Sequence, residues 1–169
     1  DNASANQFTK LDGGSNVGTA ATGAAGSTDS LTVVNTAVLD ANDVANIKGF
    51  ELVNLVESTV GNSSFGLTLS EALVLANSTA AVPLTIASVT NTYGVRLGAG
   101  DVVNLEVSDL LTAAGAVKAT IAARAATNVQ ALIAAGVTVN FQVNGVTQSI
   151  NAAPAALAGV FNLATAPAA

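Results

Sequence analysis

Apolar and polar residues alternate most strictly in residues 137–150, VTVNFQVNGVTQSI. Val137, Val139, Phe141 and Val143 fall on one face and Thr138, Asn140 and Gln142 on the other, the period of a half-buried strand. A two-residue Asn144-Gly145 loop suits a type I′ turn, whose twist matches that of the flanking strands. The pattern predicts a C-terminal β-hairpin over 137–150, with Val143 facing Val146 and Val139 facing Ile150. Shorter β-prone runs occur at residues 30–35 (SLTVVN), 84–88 (LTIAS), 93–97 (YGVRL), 101–107 (DVVNLEV) and 157–164 (LAGVFNLA). Residues 50–56 (FELVNLV) are almost continuously apolar, which suits a strand covered on both faces in a parallel stack.

Helical signals are briefer. Asp40 is placed to cap a turn that ends at Gly49. Residues 61–66 read as a turn, after which Thr68 and Glu71 have the T-x-x-E spacing of a capping box. That box predicts a helix to about residue 76, with Leu69, Leu73 and Ala76 on one face. From Leu110 the apolar residues recur at helical spacing through Ile133, and Thr127 and Gln130 form a T-x-x-Q box that divides the stretch in two. Gly136 stands where a helix C-terminus favours glycine. The expected fold is mainly β, solenoid-like or sandwich-like, with short helices and an Ala-rich helical insertion near 109–135. The expected organisation is an extended Gly/Ala-rich segment over 1–28 and a single β-rich domain over 29–169.

Composition changes this picture in two ways. Only 9% of the residues are charged, and none after Arg124, whereas a soluble surface usually carries about 25–35% Lys, Arg, Glu and Asp. A surface so poor in charge is expected to be covered by neighbouring copies of the chain. The chain also lacks Cys, Met, His and Trp, so it has no disulfide framework and nothing to fear from an oxidising compartment. Five basic residues, dispersed against a net charge of −6, form no phosphate-binding stripe, and no nucleic-acid partner is expected. Lys118, Arg124, Asn128 and Gln130 interrupt the Ala-rich stretch, so no apolar span of the ~20 residues needed to cross a bilayer remains.

The order of the segments GSTDSLTVV, IKGFELVNL, GLTLSEALVLANST, LGAGDVVNLEV and VNFQVNGVTQSI resembles a module of large secreted bacterial RTX-type proteins and adhesins exported by type I secretion. In that module a Gly-rich, Asp-containing stretch leads into a D-x-L-x-V strand. A G-f-E-x-v-n-L strand, a short helix, a G-D-x-V-n-L strand and a hairpin follow. The resemblance implies a β-rich scaffold, secreted or at the bacterial cell surface and related to adhesin and surface-layer repeats, and it does not imply catalysis. The Ala-rich stretch is not part of that pattern.

The glycine-rich opening, LDGGSNVGTAATGAAGSTDSLTVV, resembles one imperfect copy of the G-G-x-G-x-D-x-apolar-x repeat that binds calcium when stacked in tandem. Asp12 and Asp29 are the candidate calcium ligands, and service in turns is the alternative for both. Asp40 and Asp43 read as helix capping. Nucleophilic chemistry through His or Cys and His/Cys zinc sites are excluded by composition. Glu51, Glu57, Glu71 and Glu106 remain formally available for acid–base work, but one Tyr and five Phe offer few sugar platforms, and no enzyme is expected.

Two functions follow as expectations. The first is a self-assembling extracellular structural protein (filament, surface layer or biofilm matrix) that associates with itself through apolar burial and strand addition. Its assembly candidates are Phe8, Gly13, Gly14, Val160, Phe161 and Leu163, which lie in the N-terminal segment and the uncharged C-terminal tail. The second is a calcium-dependent repeat module, a spacer or ligand-binding unit, of a large RTX-type adhesin.

Overall fold

The structure, a computed structural model, describes residues 11–12, 29–34, 38–89, 92, 94–149 and 155–162. Its strands are β1 (Leu11–Asp12), β2 (Ser30–Val34), β3 (Val38–Leu39), β4 (Ile47–Lys48), β5 (Leu52–Glu57), β6 (Ser64–Thr68), β7 (Thr85–Ala87), β8 (Val95–Arg96), β9 (Val102–Glu106), β10 (Thr127–Asn128), β11 (Thr138–Val143), β12 (Val146–Ser149) and β13 (Phe161–Asn162). Four short helices punctuate them: α1 (Ala41–Val44), α2 (Glu71–Ala76), α3 (Ala119–Ala122) and α4 (Gln130–Ala134). The fold is mainly β.

Two sheets dominate. The first runs β13-β10-β7-β5-β2 and the second β12-β11-β9-β6-β3, while β1 pairs with β4 in a separate ribbon. Along the chain, β2, β5, β7 and β10 enter the first sheet and β3, β6, β9 and β11 the second in alternation, with β8 returning to β5 between β7 and β9. Order in each sheet therefore follows order in the chain. Neighbours are parallel, except that β12 folds back on β11 and β8 runs antiparallel to β5.

The rows follow from period-2 patterning. In the second sheet Phe65, Val103 and Val139 form one row and Leu39, Leu67, Leu105 and Phe141 another; all are buried. The intervening residues face outward in rows of Ser64, Val102 and Thr138, then Gly66, Asn104 and Asn140, then Thr68, Glu106 and Gln142. Asn140 Nδ2 donates to Asn104 Oδ1 at 3.1 Å, and Asn104 Nδ2 to Ser64 Oγ at 3.4 Å, so outward amides link strands distant in sequence. Parallel sheets usually have both faces covered. This one keeps an outer face partly open to water.

In the first sheet β5 is covered on both sides, as its apolar run requires. Val53, Leu55 and Ile86 enter the core, and Asn54 and Val56 are equally buried on the opposite face. The segment after β7 supplies that cover: Val89 N donates to Asn54 Oδ1 at 2.8 Å. A Cβ at Gly94 would lie 2.6 Å from the Glu57 carbonyl oxygen and 2.7 Å from Val56 Cγ2, so only glycine permits this approach. At the other end of the core, Phe141 and Phe161 pack with ring centroids 4.6 Å apart and planes tilted by 43°.

The hairpin forms in the expected register, Val143 opposite Val146, with Asn144 and Gly145 at φ 51° and 76°. Ile150 lies outside the described residues, as does Tyr93. Asp40 caps α1 in a full capping box: its Oδ1 accepts from Asn42 N and Asp43 N, and Asp43 Oδ2 accepts from Asp40 N. Gly136 follows the C-cap of α4 at φ 82°.

Other expectations are corrected. The turn expected at 61–66 already contains the first residues of β6, because Phe65 and Leu67 alternate into the core. Neither Thr box is a helix cap. Thr68 and Thr127 both lie in strands; Ser70 Oγ instead accepts from Leu73 N to cap α2, and Asn128 Oδ1 accepts from Gln130 N to start α4. Glu71 and Gln130 reach other elements: Lys118 Nζ donates to Glu71, and Gln130 Nε2 donates to the Asn162 carbonyl.

The Ala-rich helical insertion near 109–135 is likewise broken into pieces. Gly115, at φ 77°, turns the chain between Leu111 and Val117, which bridge antiparallel. Ladder bonds from Thr127 N to the Val160 carbonyl and from Asn128 N to the Leu84 carbonyl then draw β10 into the first sheet. The final strand begins at Phe161 rather than at Leu157, since Ala155–Gly159 form a 3-10 helix before it; Leu163 and Ala164 lie outside the described residues. Of the segment 1–28, only Leu11 and Asp12 are described, as the strand paired with β4.

Candidate functional site

Asp12 stands opposite Lys48 in the β1–β4 register, whereas Asp29 immediately precedes β2 in the first sheet. Since Ser30 pairs with Leu52, Asp29 stands across from Glu51. Asp29 N donates to Glu51 Oε2 at 3.1 Å, and Leu52 N donates to the Asp29 carbonyl at 3.2 Å. Glu51 is 8% exposed and Asp29 half-buried. The remaining oxygens, Asp29 Oδ2 and Glu51 Oε1, are buried without a hydrogen-bond partner among the described residues.

In the sequence Glu51 stands out only as one of four glutamates formally available for acid–base work. A usable signal existed: Asp29-Ser-Leu-Thr-Val-Val and Glu51-Leu-Val-Asn-Leu-Val each place an acid just before an apolar strand. Aligning the two strands by their apolar positions aligns the two acids. A third copy, Asp101-Val-Val-Asn-Leu-Glu, introduces β9, and its acid shows what full satisfaction looks like. Asp101 is 2% exposed; its Oδ1 accepts from Ser63 N and its Oδ2 from Gly98 N, both at 2.7 Å.

The other glutamates have local partners. Ser63 Oγ donates to buried Glu57 at 2.8 Å, and Ser108 N to Glu106 at 2.9 Å. Lys118 Nζ lies 2.9 Å from Glu71 Oε2 and 2.8 Å from Asp109 Oδ1, tying α2, the 3-10 turn Ser108–Leu110 and the start of α3 together. A hydrogen bond from Thr120, then one from Lys118, holds the Glu71 carboxyl below its ordinary range. Lys118 does the same for Asp109, and the two acids raise the Lys118 ammonium.

Val160 and Phe161 are 6% and 1% exposed. Their side chains pack inside the chain, because β13 joins β10 and lays Phe161 on Phe141; as side chains they are core residues rather than contacts for a neighbour. Asn144 and Gly145 form the exposed hairpin turn. Phe8, Gly13, Gly14 and Leu163 lie outside the described residues. A shallow cleft of about 210 Å³ beside that turn, lined by Ser108, Leu111, Thr112, Val143 and Asn144, is smaller than the ~300–1,000 Å³ of typical small-molecule sites.

Among the described residues no three His, Cys, Asp or Glu side chains form a metal-ligating group, and no helix is long and apolar enough to cross a membrane. No protein-family model, curated protein or solved structure matches the chain.

Proposed function

We propose that this chain is an extracellular structural subunit, a β-solenoid scaffold that associates with copies of itself into a filament, layer or matrix. The observation that carries the reading is the second sheet: parallel strands stacked in chain order, with an outward face of Ser, Thr, Asn and Gln on which Glu106 is the only charge among the paired residues of β6, β9 and β11. A stack of winding strands grows by adding rungs. A copy placed at an end of the stack extends the sheets by strand addition, and copies laid face to face pair amides and hydroxyls without desolvating opposed charges.

The segment order that resembles RTX-type adhesin modules fits such a scaffold at a bacterial cell surface. The acids fit it too, since Asp101, Glu57 and Glu106 hold backbone and hydroxyl groups in the loops between strands.

Sedimentation velocity over a range of concentrations, with negative-stain microscopy of the same samples, tests the proposal. Filaments, sheets or concentration-dependent oligomers are expected. Charging the outward face with Thr138→Lys and Asn140→Lys should disperse face-to-face assemblies while the fold persists by circular dichroism. A monodisperse monomer under all conditions overturns the reading.

A further inference from the structure

We infer that Asp29 and Glu51 form a binding site for a hard divalent cation, with calcium the apt probe, where β2 meets β5. The inference is independent of self-association; it keeps Asp29 of the pair the glycine-rich opening suggests and puts Glu51 in place of Asp12.

Three features carry it. First, parallel pairing of Ser30 with Leu52 sets the two acids across from one another on adjacent strands, and the bond from Asp29 N to Glu51 Oε2 brings the Glu51 carboxylate against the Asp29 backbone. Second, Glu51 is more than nine-tenths buried, and one of its oxygens is out of contact with water and unpartnered, as is one oxygen of Asp29. A buried carboxylate oxygen without a hydrogen-bond donor is costly.

Third, the chain handles the same problem differently at the equivalent place before β9. There Asp101 spends both oxygens on backbone N–H groups. The acids before β2 and β5 each keep an oxygen in reserve. Oxygen-only ligation selects calcium-like ions over the softer metals that thiolate or imidazole attract. Two carboxylates offer fewer oxygens than calcium takes up, so backbone carbonyls or water complete the shell. Affinity should fall in the weak extracellular range, a Kd of about 10⁻⁴–10⁻³ M.

Isothermal titration with calcium chloride, and thermal unfolding in millimolar calcium against EDTA, test the site on the full chain. Wild type should take up a single calcium and melt several degrees higher with it. Glu51→Gln keeps the acceptor for Asp29 N and nearly the same shape. It should lose the isotherm and the calcium-dependent shift while keeping the fold by circular dichroism. Asp29→Asn should lose the same responses, whereas Asp109→Asn, at an exposed acid, should keep them.

Absence of heat and of a thermal shift in wild type overturns the inference. So does a calcium response that survives in both variants. Sedimentation of the same samples reports self-association separately, so the two proposals fail in distinguishable ways.

Discussion

Asn77 is 1% exposed and saturates its amide with backbone. Phe50 N donates to its Oδ1 at 2.8 Å, while its Nδ2 donates to the carbonyls of Ile47 at 3.1 Å and Leu73 at 2.7 Å. The Leu73 carbonyl belongs to the last turn of α2, where no intrahelical donor remains; one side chain therefore closes the helix and anchors it to the segment between β4 and β5. Asn77→Ala removes three hydrogen bonds of ~0.5–1.5 kcal/mol each and strands buried partners, for a loss of about 3–4 kcal/mol. For a chain of this size that lowers the melting temperature by roughly 6–15 °C.

Asn77→Asp keeps the acceptor for Phe50 but turns an acceptor oxygen toward two carbonyls. Burial raises the folded-state pKa of the new carboxyl above its unfolded value of about 3.9. The folded state then binds the extra proton more tightly, so the variant's deficit is small below ~3.9 and grows as pH rises toward the folded pKa. Urea unfolding followed by circular dichroism reads both effects as midpoint shifts at constant slope. An alanine variant within about 1 kcal/mol of wild type, outside the range expected for these bonds, would refute the reasoning. So would an aspartate variant whose deficit stays the same on acidification.

Three further outcomes are expected. Phe161→Ala should cost about 3–5 kcal/mol in urea unfolding, because it empties the contact with Phe141; if Phe161 served a neighbouring copy instead, oligomerisation would fall and stability would not. Gly145→Ala meets no atom within 4 Å but must hold φ near 76°, so it should destabilise by about 1 kcal/mol through backbone strain alone. The Glu71–Lys118–Asp109 cluster should weaken at both pH extremes. Its carboxylates titrate below 4.5 and 3.8, so their contribution is present above those values and fades as pH falls through the depressed folded pKa values. That of Lys118 is present below 10.5 and fades as pH rises through its raised one. Carboxyl NMR titration should show Glu71 and Asp109 returning toward those ordinary values in Lys118→Met.

What the sequence disclosed and withheld follows from how far each signal reaches. The strand positions of β2, β5, β7, β9 and the β11–β12 hairpin were legible, because period-2 alternation and the Asn144-Gly145 turn are local facts. Thr68 and Thr127 were misread because a T-x-x-[EQ] spacing is also local, while the ladder partners that claim both residues as strand, Glu106 and Phe161, lie far away in sequence. Helical spacing between Leu110 and Ile133 failed for the same reason: Gly115 and the partners of β10 override it.

Register was the deepest loss. Ser30, Leu52, Thr85, Asn128 and Asn162 occupy one row, yet the chain between successive members varies in length, so no fixed repeat could have been counted. The pairing of Asp29 with Glu51 is hidden with it, and Asp12, the acid nearer to the glycines, draws attention instead. The acid-then-strand pattern shared by residues 29–34, 51–56 and 101–106 was the one local clue. A strand that must present the same face to its neighbour has one way to align its apolar residues, and whatever precedes those residues is then brought together. Where parallel strands stack in chain order, candidate sites are best sought by stacking the strands first and reading the acids across the rows.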